Sequence, residues 1–331
     1  MHAMTFLSLI KGALAGACLT GALIAPAVAQ TTKVRVALGD TISVETLAYV
    51  VALERAKDRG VDYELTSFAK EDLAIQAVVN GQADLGIGTP YAVAQKSKAP
   101  LRGVFQVTRL VFFPVAEKSI KTWKDLDGQP MTFHARGTGT EAIGNILAER
   151  NGIKFGQRNY VAGSENRVIA MMNGQIKATI LDLANKNLLM SKAGDRFTVL
   201  PGLDEKASDE ILFVKSDWMA QNAQKVDVIV EEFARFWSEL AANPAVADQE
   251  RQKRGLLKDV PKELLADVTK FYAEAVQNGV FDKTGGSPTA IKADFVFYTQ
   301  AGQMTGKPEE LKVEDFWDFG PLERARKKIG S

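Results

Sequence analysis

Apolar residues alternate at Val34, Val36 and Leu38, the period of a strand with one buried face, and Gly39-Asp40-Thr41-Ile42-Ser43 then makes a turn. A helical spacing follows at Val44, Leu47, Val51 and Ala56 until Gly60 stops it. Val61 to Phe68 predicts a second strand, Glu71 to Val79 a helix closed by Asn80-Gly81, and Asp84 to Gly88 a short third strand. Thr89-Pro90 opens another helix, with threonine as cap and proline at the first helical position.

The same series returns about 93 residues later. Met131 to Ala135 reads as a strand, Thr140 to Arg150 as a helix ending at Asn151-Gly152, and Arg158 to Val161 as a strand. Glu165 to Met172 is a helix closed by Asn173-Gly174, and Ala178 to Leu181 another strand. Letters repeat as well: Val78-Val79-Asn80-Gly81-Gln82 against Met171-Met172-Asn173-Gly174-Gln175. Asn-Gly after a helix is a common ending, so the order and spacing of the elements carry more weight than the letters. Together they predict two α/β lobes of like topology.

Val104 to Ala116, apolar and alternating but interrupted by Arg109, is long enough to cross between lobes, and Glu210 to Val214 reads as the returning strand. Beyond it, Ile229, Phe233, Phe236, Trp237 and Leu240 form one face of a helix over Val226 to Leu240, and a second helix runs from Pro261 to Gln277. These faces read as packing. The aromatic tail after Gly285 is expected to wrap the first lobe.

Composition adds limits. The 331 residues are 46% hydrophobic and 24% charged, an ordinary globular balance. Lys11 precedes an apolar run to Ala25, and Ala27-Val28-Ala29 is a cleavage pattern, so residues 1–29 read as a signal peptide and the mature chain is exported to the periplasm. Of the 41 Lys and Arg side chains only Lys11 lies in that leader, so the remainder matches the 40 Asp and Glu and leaves no footprint for nucleic acid. Cys18 is the only cysteine; lipid attachment there is disfavoured because Ala15 stands where leucine is usual. The mature chain thus has no thiol nucleophile or thiolate metal site, and its single histidine gives no metal pattern. No cofactor and no metal are expected.

The stretch Phe133 to Glu141 carries the strongest chemical signal. It reads as a strand end running into a glycine-hinged helix start, with Thr138 and Glu141 spaced as a capping box. Free N–H groups and the positive end of a helix dipole suit an anion there, with hydroxyls from Thr138 or Thr140 and a forked partner in Arg136 or Arg109. The dipole supplies ~0.3–1 kcal/mol when exposed and up to ~2 when partly buried. Micromolar binding needs about 8 kcal/mol, so most affinity must come from hydrogen bonds and apolar contact in a closed cleft. Arg109 fits a hinge salt bridge with Asp209 or Glu210 as well as it fits a ligand. His134 is either a structural hydrogen-bonder or a ligand contact. Phe112 and Phe113 suit the core or an aromatic solute. Asp40 and Asp182 suit helix caps or an ammonium group.

Three runs together, Asn80-Gly81-Gln82-Ala83-Asp84-Leu85-Gly86, Ile120 to Gln129 and Gly137-Thr138-Gly139-Thr140, resemble the taurine, sulfonate and nitrate branch of ABC-transporter solute-binding proteins. The resemblance spans nearly all of the mature chain. It implies an α/β, two-lobed class II periplasmic-binding-protein fold, each lobe a mixed sheet flanked by helices, with two hinge crossings. Lobe I would be residues 30–108 and 210–331, and lobe II residues 109–209. It implies a monomer that captures a small organic anion, sulfonate or carboxylate, and hands it to a permease and its ATPase. It also implies contacts from the loop Asp40-Thr41-Ile42-Ser43 and from Gly88-Thr89-Pro90 on the first lobe. His134, Arg136, Thr138, Gly139, Thr140 and the run from Asp182 to Asn185 would face them from the second. Many members carry a tryptophan-containing segment at that last loop, where this chain has Leu181-Asp182-Leu183-Ala184-Asn185. Related scaffolds also house enzymes acting on pyrimidine or cofactor precursors, the alternative to a binding role.

Overall fold

The computed structural model describes residues 33–203, 207–260, 265 and 267–330. The expected leader with Cys18, and the helix start expected at Pro261, lie outside the described residues.

The first half of the chain runs β1 (Val34–Leu38), α1 (Leu47–Asp58), β2 (Tyr63–Ser67), α2 (Glu71–Val79), β3 (Leu85–Gly88), α3 (Tyr91–Ser97) and β4 (Leu101–Gln106). The repeat follows as β5 (Phe113–Glu117), β6 (Pro130–Phe133), α4 (Gly139–Asn151), β7 (Gln157–Tyr160), α5 (Ser164–Met172), β8 (Ala178–Leu181), α6 (Leu183–Ala193) and β9 (Phe197–Val199). β10 (Ile211–Lys215) then returns to the first sheet. Each sheet has five strands, in the orders β2-β1-β3-β10-β4 and β7-β6-β8-β5-β9. In each, the first three strands are parallel and the last two antiparallel to their neighbours. The sequence repeat is therefore a topological one. The late strand of one half, β10, fills the place that the early strand β5 fills in the other.

Val104 to Ala116 is not one crossing strand: β4 ends at Gln106 and β5 starts at Phe113, with Arg109 in the break. The break lets the chain leave one sheet and join the other. The outgoing and returning segments run side by side. Val107 N and Thr108 N donate to Glu210 O (2.8 and 3.1 Å), Asp209 N to Thr108 O (2.9 Å), and Leu110 N to Ala207 O (2.8 Å). This narrow ladder satisfies backbone groups at the hinge.

Among the described residues the chain continues with the α-helices α7 (Ser216–Gln221), α8 (Ala223–Ala242), α9 (Val246–Arg254), α10 (Val268–Asn278), α11 (Pro288–Gln300) and α12 (Gly320–Ile329). The apolar face of α8 is buried as its spacing predicts, and Trp237 Nε1 donates to Val107 O at 2.8 Å, anchoring the outgoing crossing. The aromatic tail lies against β4. Gly103 N donates to Phe316 O at 2.8 Å, and a Cβ at Gly103 would lie 2.7 Å from the Trp317 ring, so only glycine admits the indole there. The tail also reaches the second sheet's helix: Asn145 Nδ2 donates to Ala301 O (3.1 Å) and Gln303 Nε2 to Thr138 O (2.7 Å).

Candidate functional site

The loop after β1 is held from several sides. Tyr272 OH accepts from Ala48 N and donates to Val44 O, both at 2.9 Å, while Thr46 Oγ1 accepts from Ser43 N at 2.9 Å and donates to Thr41 O at 3.0 Å. Asp40 Oδ1 accepts from its neighbour Thr41 N at 2.6 Å. Glu71, at the first turn of α2, lies across the ends of β1 and β3 and accepts from Thr89 N. A Cβ on Gly39 would come within 2.8 Å of the Glu71 side chain, so the glycine makes room for a carboxylate. Thr89 is not the helix cap; α3 starts one residue later than expected, and Thr89 Oγ1 donates to Asp209 O at 2.6 Å, binding the β3 loop to the returning crossing.

On the second sheet Asp182 caps α6, its Oδ1 accepting from Asn185 N at 2.8 Å. Asn185 Nδ2 then donates both to Asp182 Oδ2 (3.0 Å) and to Glu45 Oε1 (3.2 Å). The loop after β1 and the loop after β8 therefore meet through one asparagine.

The α4 start departs from its expected form. Thr138 is the N-cap residue, yet its hydroxyl caps no N–H; Oγ1 donates to Ala135 O at 2.8 Å and lies 3.2 Å from Thr140 Oγ1. Thr140 Oγ1 accepts from His134 N at 3.1 Å. Only the glutamate arm of the capping box forms, and onto Gly137 N (2.8 Å) rather than Thr138 N, with Tyr160 OH fixing the other Glu141 oxygen at 2.5 Å. Asp209 Oδ1 closes on the same place, 3.3 Å from where a Gly139 Cβ would stand. The chain's own oxygens thus surround the positive end of α4.

The three basic groups expected at the ligand are each engaged elsewhere. Arg109 pairs with Asp282, and its Nε donates to Gln106 Oε1 at 3.3 Å; neither Asp209 nor Glu210 is its partner. Arg136 is exposed, with its guanidinium 5.6 Å from the Tyr160 ring centroid. His134 is lowered to about 4 by burial and by the Arg167 charge, and Nδ1 accepts from Gly163 N at 3.2 Å, so the ring is neutral with its proton on Nε2. Phe113 lies under Lys186, whose Nζ is 4.8 Å from the ring centroid.

Sequence reasoning missed Arg167, Glu45 and Glu71. Arg167 is 1% exposed and donates to Val161 O (2.9 Å), Ser164 Oγ (2.7 Å) and Ile180 O (3.2 Å). Burial lowers it to about 10. Its place on the buried face of α5, beside Val168 and Met171, was the available signal.

The carboxylates are strongly perturbed. Burial raises Asp40 to about 6, with the Asp182 and Glu165 charges adding to it and the Thr41 N–H opposing. Burial also raises Glu45, Glu71, Asp209 and Glu210, and neighbouring carboxylates push each further. Asp182 differs. Burial pushes it up, but hydrogen bonds from Glu45, Asn185 and Ser164 outweigh that and hold it below the usual range. The described residues offer no group of three His, Cys, Asp or Glu suited to a metal. Concave pockets of ≈ 420 Å³ at Arg102, Lys292 and Trp317, and ≈ 240 Å³ at Arg35, Asp84 and Trp218, lie away from these loops.

The family model described as NMT1/THI5 like matches residues 46–247. No curated protein matches the chain. Among solved structures, the chain is similar to a protein of Bordetella bronchiseptica RB50 at 19% identity and TM-score 0.72, covering 90% of this chain and 98% of that one. The nitrate-binding protein NrtA from Synechocystis PCC 6803 is similar at 13% identity and TM-score 0.68, with 90% and 89% covered. The alkanesulfonate-binding protein SsuA from Xanthomonas axonopodis pv. citri, bound to MOPS, is similar at 17% identity and TM-score 0.61, with 82% and 94% covered. These likenesses carry the fold: two mixed five-stranded sheets flanked by helices, as in periplasmic binding proteins. With more than half of its residues inside the matching family model, the chain belongs to the NMT1/THI5-like family.

Proposed function

We propose that this chain is the solute-binding component of an ABC-type import system. Exported by its leader, it works as a monomer whose lobes, residues 30–108 with 210–331 and residues 109–209, close on a small organic solute and deliver it to a membrane permease driven by an ATPase. The observation that supports this reading is the meeting of the two sheets' loops through Asn185, Glu45 and Asp182, beside a set of half-buried carboxylates. The nitrate- and alkanesulfonate-binding neighbours support a small anion as the first ligand class, a sulfonate or, by the resemblance of the sequence, a carboxylate. The carboxylates on the cleft loops favour a different charge class. A binding role is favoured over an enzyme acting on a pyrimidine or cofactor precursor because the one histidine outside the leader is neutral and its free ring nitrogen is already occupied by Gly163 N–H.

Native mass spectrometry of the purified protein tests this. A noncovalent small-molecule adduct that is released chemically intact on denaturation is the expected result. An adduct that is converted to a product on incubation supports catalysis instead.

A further inference from the structure

Six carboxylates, Asp40, Glu45, Glu71, Asp182, Asp209 and Glu210, converge where the loops after β1 and β8 meet the returning crossing, and none is in an ion pair among the described residues. Their engagement is uneven. Glu71 accepts from Thr89 N, Asp182 from Asn185 N, and Glu45 from Asn185 Nδ2. Glu210 Oε2, by contrast, is sealed from solvent with no hydrogen-bond partner. A buried carboxylate oxygen without a partner carries the full cost of its lost hydration, so it either holds a proton or waits for a donor. No surrounding basic group donates to it: Arg109 is bound to Asp282, the exposed Arg136 lies beside Tyr160, His134 is neutral, and Lys186 lies over Phe113. Arg167, whose charge faces Asp182, Glu45 and Asp40, directs its terminal nitrogens to Val161 O, Ser164 Oγ and Ile180 O, and its buried Nε reaches none of the six carboxylates.

We propose that the cleft receives a solute whose recognised group is an organic cationic nitrogen, an ammonium or amidinium, donating to Asp40, Asp209 and Glu210 on one side while Asp182 faces its charge from the other. The inference rests on the solute-binding reading above and names the charge class of that same site. A metal ion is the poorer occupant, because no three of these side chains close to metal-ligand spacing, whereas an ammonium or amidinium donates over longer N–H···O distances. An organic cation needs only two or three oxygens and brings apolar surface as well. It also offsets the mutual repulsion of the carboxylates, lowering their proton affinity, so binding near neutral pH releases protons. Asp72, Glu165 and Arg167 also face this cluster, and Arg167, lowered only to about 10, stays charged in that range.

Titration calorimetry of the purified protein with benzylamine, putrescine and benzamidine, against ethanesulfonate, benzoate and succinate, in two buffers of different ionisation enthalpy, tests the assignment. The expected result is saturable binding of at least one cation, with proton release, and binding at least ~10-fold weaker in Glu210→Gln. Asp40→Asn, on the surface loop, serves should the first variant fail to fold. Binding of the anions with no binding of the cations overturns this inference and leaves the solute-receptor reading standing. Binding of neither class overturns both.

Discussion

Asp294 shows what a single residue does for the hinge. It is fully buried on α11, and its oxygens accept from Ser208 N (2.7 Å), Ser208 Oγ (2.6 Å) and Tyr91 OH (2.6 Å). Tyr298 OH donates to Ser208 O at 2.6 Å and Gln106 Nε2 to Ser208 Oγ at 2.6 Å, so one carboxylate ties the tail, α3 and both crossings together. Burial raises its pKa to about 6, although those hydrogen bonds oppose the rise. The folded state therefore keeps a proton that the unfolded chain has already lost. The stability this adds is complete below the unfolded value near ~4 and disappears as pH rises through about 6. In Asp294→Asn that contribution is gone, so the stability gap between wild type and variant should change by up to ~1.4 kcal/mol per pH unit across this window. Urea unfolding of both proteins from pH 4 to 7 measures it, and parallel curves contradict the assignment. None of this network was visible in the sequence, because Asp294 and Ser208 are 86 residues apart and nothing local marks either one.

At the scale of elements, the sequence was most legible where the chain decides locally. The apolar alternation of β1, the stripe of α8 and the Asn-Gly endings of α2 and α5 all mark real elements, since period and turn chemistry are short-range properties. The start of α4 was read correctly as a helix start, but its capping box forms only in part, because Glu141 reaches Gly137 and Thr138 turns to Ala135. The partners of Arg109 and the approach of Asp209 to Gly139 depend on the hinge, which brings distant segments together. The docking of the tail on β4 is likewise tertiary, and it rests on a missing side chain. Gly103→Ala forces a methyl to 2.7 Å from the Trp317 ring and 3.0 Å from Ile211, so it should cost about 1–3 kcal/mol in urea unfolding. An unchanged midpoint contradicts the close packing described for this edge.

For the whole molecule, the repeat in the sequence became two sheets of matching strand order, and the pair of crossings became a hydrogen-bonded ladder. In the proposed role, closure would bend the chain at the two crossings, residues 107–112 and 207–210. The character of the cleft was harder to read, since net charge is nearly zero along the chain while six carboxylates gather in one place only after folding. In the proposed role, closure would also link ligand to stability, because a solute held by both lobes would bind the folded state alone. The most direct test is the thermal unfolding midpoint of the purified protein titrated with small amines, sulfonates and carboxylates, compared with the Asp40→Asn/Asp182→Asn double variant, in which asparagine still caps α6. The account predicts that one class raises the midpoint in a saturable way, by about 2.7 kcal/mol of stability at a hundredfold excess over Kd, and that the double variant loses the shift. A midpoint that no class moves, or a shift that survives in the double variant, contradicts it.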